Sequence, residues 1–143
     1  MTKETGEENE SPLLKVPESY QRYIDEIYEI ARTKKGGWVN NKELAEGLNV
    51  EPPSVSGMLK KLKENNYIRW SPRQAIRLTK KGKQIAKQLN ETHSLLRTFF
   101  KKVLKIEKEE TIEDLSCEIE HHISRDVKES FKTFLDDYLD AQE

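Results

Sequence analysis

The stretch VNNKELAEGLNVEPPSVSGMLKKLKENNYI, residues 39–68, limits the folds open to this chain more than any other. Asn40 or Asn41 can cap a short helix that turns Leu44, Ala45 and Leu48 inward. Gly47-Leu48-Asn49 then supplies a tight turn, because glycine and asparagine tolerate the left-handed backbone conformation. Pro52 or Pro53 suits the first turn of a second helix, where no backbone N–H is needed. That helix repeats Val55, Met58, Leu59 and Leu62 at i, i+3, i+4 and i+7, which is one buried stripe. Two helices joined by so short a turn form a helix-turn-helix.

The flanking segments extend the pattern. Tyr20, Tyr23, Ile24, Ile27, Ile30 and Ala31 describe an earlier amphipathic helix, with Ser19 as its candidate cap and Lys34-Lys35-Gly36-Gly37 as its stop. After the second helix, residues 67–70 and 75–79 alternate as short strands around the polar turn Ser71-Pro72-Arg73-Gln74, which is a hairpin. A hairpin in this place is the wing of a winged helix-turn-helix. A long helix follows from Thr79 to about Leu104, with Ile85, Leu89, Leu95, Leu96, Phe99, Val103 and Leu104 as core candidates. Helices over roughly 109–123 and 124–141 complete a mainly α chain, the last with Val127, Phe131, Phe134, Leu135 and Tyr138 as its stripe. The expected organisation is a disordered tail over residues 1–17, a DNA-binding domain over 18–84 and a helical dimerisation domain over 85–143.

Charge follows the same division. The formal net charge is only −1, yet residues 52–102 carry 13 basic and 2 acidic side chains, and residues 103–143 carry 5 basic and 13 acidic. A strongly basic middle third marks a polyanion binder. No apolar run reaches the roughly 18 residues of a membrane span, and the Glu-rich N-terminus has no apolar signal core, which predicts a cytoplasmic protein. One cysteine, Cys117, excludes an internal disulfide. Neither a nucleophile–base pairing nor a phosphate-cradling glycine loop is present, so the chain does not read as an enzyme.

A recognition helix presents its N-terminal residues to the base edges of the major groove. Here those are Pro53, Ser54, Ser56 and Gly57, small and uncharged, while Lys60, Lys61 and Arg73 suit phosphate contact. A winged helix can also serve as a protein-interaction module; the basic segment favours double-stranded DNA. The C-terminal third holds the most chemically loaded stretch, Cys117-Glu118-Ile119-Glu120-His121-His122. On a helix, Cys117, Glu120 and His121 share one face, and thiolate, carboxylate and imidazole together suit Fe, Mn, Co, Ni or Zn as a divalent ion. His93 on the preceding helix offers another nitrogen. A buried structural cysteine and surface histidines are the plainer reading of the same residues.

The runs SYQRYIDEIYEIA, ELAEGLNVEPPSVSGMLKKLKENNYI, LTKKGKQIA and CEIEHHIS resemble the metal-dependent repressors of the diphtheria toxin repressor and manganese transport regulator family, in its short form. The resemblance implies a homodimer that binds operator DNA when Fe or Mn is plentiful. It also implies that Cys117, Glu120, His121 and His93 are metal ligands, with Asp25 as a carboxylate ligand on the first helix. Two positions depart from the family pattern: Arg22 and Arg97 stand where ligands are expected, and a guanidinium has no acceptor to offer a metal. The arginines therefore leave two alternatives, a metal site that excludes them or a metal-independent regulator in which they replace the cation.

Overall fold

A computed structural model describes residues 16–71 and 75–142. These form two compact units, residues 17–87 and residues 88–142. The expected elements are present with different boundaries: six α-helices among the described residues, one two-stranded sheet, and short 3₁₀ and π turns.

In the first unit, α1 (Glu18–Arg32) starts at Pro17, with no side-chain cap; Ser19 lies inside its first turn. It buries Tyr23, Ile24 and Ile27 and packs against α2 (Asn41–Leu48). Asn40 caps α2 by accepting from the Glu43 N–H, and Glu43 accepts from the Asn40 N–H in return, so two otherwise orphaned donors are satisfied reciprocally. Asn49 ends α2 at φ 55°, the left-handed conformation expected of the turn. α3 (Pro52–Glu64) has proline in its first turn and buries Val55, Leu59 and Leu62.

The wing strands are shorter than alternation suggested. β1 (Ile68–Arg69) pairs antiparallel with β2 (Arg77–Leu78), Ile68 opposite Leu78, and Ile76 bridges back to Val39. The rest of the hairpin turn, including Arg73, lies outside the described residues. α4 (Lys80–Thr98) is anchored by Thr79, whose hydroxyl donates to the Asn66 carbonyl at 2.6 Å and accepts from the Gly82 N–H at 3.2 Å. Gly82 is required by packing: a Cβ there would stand 2.3 Å from the Tyr67 carbonyl oxygen.

In the second unit, α4 widens into a π turn over Phe99–Val103 instead of continuing to Leu104, and Lys105 at φ 59° reverses the chain. α5 (Glu109–Ile119) follows, then a 3₁₀ turn over Glu120–His122, then α6 (Arg125–Gln142). Leu96, Phe100 and Ile112 form a core ringed by Phe99, Ile106, Ile119 and Phe131, with Phe99 edge-on to both Phe100 and Phe131. Three expected core residues are not buried: Leu104, Val127 and Phe134 are each about half exposed, at 52%, 53% and 49%. Helical spacing correctly puts apolar residues on one face of α6, but within this chain only Leu135 of that face is fully covered.

Candidate nucleic-acid interface and metal centre

α3 presents Pro53, Ser54, Ser56, Gly57, Lys60 and Lys61 on its exposed side, opposite the buried Val55, Leu59 and Leu62. Nothing lies within 4 Å of the position a Gly57 Cβ would occupy, so the helix backbone is open to close approach there. The hydroxyl of Ser56 is oriented from α2: Asn41 Nδ2 donates to Ser56 Oγ at 3.2 Å. With its oxygen accepting from Asn41, the Ser56 hydroxyl keeps its proton for an outside acceptor, such as a purine N7, a base carbonyl or a phosphate. Asn41 itself escaped the sequence reading except as a cap. Its place one helix before Ser56 was the available signal.

The second unit gathers the C-terminal donors. His93 reaches from α4 to two carboxylates, Nδ1 lying 2.8 Å from Glu120 Oε2 and Nε2 lying 3.2 Å from Glu113 Oε1. His121 Nε2 stands 3.6 Å from Glu120 Oε1, and Glu120 and His121 are both buried. Cys117 Sγ lies 3.6 Å from Glu113 Oε1. One ligand atom each of His93, Glu113 and Cys117 falls within 4.8 Å of the others.

Cys117 occupies α5, whereas Glu120 and His121 sit in the 3₁₀ turn, so the shared helical face expected for the three is broken after Ile119. Glu113 was not singled out from the sequence, although it precedes Cys117 by one helical turn. That i, i+4 spacing to a thiol was the signal.

Electrostatics tie the cluster together. The hydrogen bond to Glu120 raises the pKa of His93 above the ordinary histidine value against the lowering effect of burial, with Glu113 adding to the rise. Both ring nitrogens face carboxylates, which favours the imidazolium. Burial works to raise the pKa of Glu113, but His93 and Arg97 outweigh it and hold the carboxyl below its usual range. Arg97 donates to Glu113 Oε2 at 2.6 Å and to Glu109 Oε2 at 2.9 Å. Arg22 pairs with Glu18 one turn earlier on α1, at 2.9 Å, and Asp25 also lies on α1, in the first unit.

Comparison with known proteins decides between a repressor and an unrelated winged-helix module. Residues 15–76 match the profile of the iron dependent repressor N-terminal DNA binding domain, and residues 79–140 that of the iron dependent repressor metal binding and dimerisation domain. The chain belongs to the iron-dependent repressor family. It is 30% identical over 123 residues to an uncharacterized helix-turn-helix transcriptional regulator of Methanocaldococcus jannaschii, covering 86% of this chain and 97% of that protein. It is 35% identical over 106 residues to the transcriptional regulator MntR of Bacillus subtilis, covering 74% and 72% respectively.

Among solved structures, the manganese regulator SloR superposes with a TM-score of 0.68 at 30% identity, over 82% of this chain and 53% of that one. ScaR with bound Zn²⁺ gives 0.69 at 28% identity, over 82% and 53%. The chain thus spans about half the length of these solved regulators. Family membership makes it a DNA-binding transcriptional regulator with a metal-binding, dimer-forming C-terminal domain. No helix among the described residues is long and apolar enough to cross a membrane.

Proposed function

We propose that this family member represses transcription from operator DNA when a divalent metal, Fe(II) in preference to Mn(II), is held by Cys117, Glu120, His121 and His93. The observation that carries the reading is that His93 and His121 both meet the buried Glu120, while a ring nitrogen of the same His93 lies within 4.8 Å of the Cys117 thiol. The donor chemistry fits a borderline transition metal: two imidazoles, a carboxylate and a thiolate exceed what Mn(II), an oxygen-seeking ion, requires. Held by Cys117, Glu120, His121 and a neutral His93, the ion would supply the positive charge that balances the buried Glu120 carboxylate. The chain's own residues do the rest. Glu120, sealed from water, orients both histidines, and the exposed α3 face carries Ser54, Ser56 and Gly57 to the groove while Lys60 and Lys61 meet phosphates.

Pairing of two protomers follows from the C-terminal domain type, and we assign the exposed Leu104, Val127 and Phe134 to that interface, where they would gain the cover that the single chain lacks. The test is Cys117→Ser. Metal affinities measured by calorimetry on the full chain are expected to fall at least tenfold for Fe(II), Co(II) and Zn(II) and to change little for Mn(II). Equal losses for all four ions, or none, would remove the thiolate from the site.

A further inference from the structure

The arrangement around Glu113 points beyond the metal site just proposed, and the following inference rests on that site. Arg97 lies on α4 and spans two carboxylates one turn apart on α5: Nη1 to Glu113 at 2.6 Å and Nη2 to Glu109 at 2.9 Å. Lys101, one turn beyond Arg97, reaches the other oxygen of Glu109 at 3.1 Å. Each carboxylate therefore meets a fixed positive charge. Glu113 is also the group whose other oxygen faces His93 and Cys117. Its carboxylate is thus shared between a metal-capable trio and a guanidinium.

A guanidinium fork matches two carboxylates in the way a bridging dication does, but it is covalently tethered and never leaves. A second metal ion at Glu109 and Glu113 would have to displace Arg97 and then sit beside its uncompensated charge. We propose that Arg97 is a built-in cation that fills the Glu109–Glu113 pair and withholds Glu113 from metal. Each protomer then takes up a single ion, and the cross-link between α4 and α5 that a second ion would make is present without metal. The same residue sets metal stoichiometry and frees one helix contact from metal control.

The test compares the full-length wild type with Arg97→Gln and Arg97→Glu by Co(II) titration, followed by calorimetry and by thiolate-to-cobalt absorption. The wild type is expected to bind one Co(II) per protomer, and both variants two. One ion per protomer in all three proteins, with affinities within twofold, overturns the role of Arg97 and leaves the metal-dependent function intact. No binding by the wild type, with binding by the variants, overturns the single-ion stoichiometry and the metal-dependent function together. Two ions per wild-type protomer, or none in any of the three, overturns the inference.

A second measurement needs no variant and so survives a folding failure. In Zn(II)-saturated wild type, the Arg97 side-chain N–H protons are expected to exchange with solvent as slowly as in the metal-free protein. Acceleration by tenfold or more on metal binding would show that the ion takes Glu113 from Arg97.

Discussion

Replacing Gly57 by alanine separates folding from DNA binding in one substitution. Gly57 is the sixth residue of the thirteen-residue α3, and its position is open to solvent, with nothing within 4 Å of an added Cβ. Alanine in a helix interior is favoured over glycine by about 1 kcal/mol, because the unfolded chain gives up less freedom. For a chain of this size that corresponds to a rise in Tm of about 3–5 °C. If the α3 face enters the major groove as proposed, the same methyl group stands where the groove floor or wall approaches. Forcing an extra carbon into a close-packed contact costs about 1–3 kcal/mol, and a dimer carries two copies of α3. The combined cost of about 2–6 kcal/mol lowers DNA affinity by more than tenfold, since each 1.4 kcal/mol is a factor of ten. Thermal melting monitored by circular dichroism and fluorescence anisotropy with a family operator fragment would measure the two effects on the same samples. A Gly57→Ala protein that melts higher and binds DNA as tightly as the wild type would refute the assignment of this face to the groove.

Three further outcomes follow from named contacts. Asn41→Ala frees the Ser56 hydroxyl from its donor, so discrimination among bases at one operator position should fall by about 1–3 kcal/mol while the melting temperature changes little, as a competition assay on singly substituted duplexes would show; unchanged discrimination would mean that Ser56 does not read a base. Lys60→Ala should reduce the slope of log K against log salt by about 1.8 per dimer, two phosphate contacts at 0.9 each, and an unchanged slope would place Lys60 off the DNA backbone. For the metal-free protein, the raised pKa of His93 sets the sign of a pH effect. Its stabilising contribution is full below about pH 6.5, the ordinary histidine value, and disappears as pH rises through the higher folded value. Urea denaturation in chelator should therefore show stability falling with pH across that window, and His93→Gln should flatten the fall; identical pH profiles would contradict the Glu120–His93–Glu113 arrangement.

Local rules made the DNA-binding half legible and left much of the metal half hidden. The 3.6-residue stripe of α3, proline in its first turn and an asparagine at the turn each depend on neighbours within a few residues, and each is found in the structure. Gly82 is different: only the Tyr67 carbonyl, fifteen positions earlier, explains why that position takes no side chain. The metal cluster depends on contacts between α4 and the segment from Glu109 to His121, so periodicity exposed Cys117, Glu120 and His121 but not the partnership of Glu113 with His93 and Arg97. Continuing a helix through Glu120 was reasonable from the sequence, because EIEHHIS contains neither glycine nor proline to stop it. The 3₁₀ turn there comes with the burial of Glu120 and His121, a tertiary effect. Leu104, Val127 and Phe134 failed as core residues for a related reason: spacing identifies an apolar face, but not which molecule covers it.

Metal control of DNA binding is the central claim, and a gel shift of the purified full chain with a family operator duplex tests it most directly. The duplex would be titrated in chelator and in stoichiometric Fe(II), Co(II) or Mn(II) under anaerobic conditions. The account predicts at least tenfold tighter binding with Fe(II) or Co(II) than in chelator, a coupling of about 1.4 kcal/mol or more, with a smaller gain for Mn(II). Equal affinity in chelator and in every metal would contradict it.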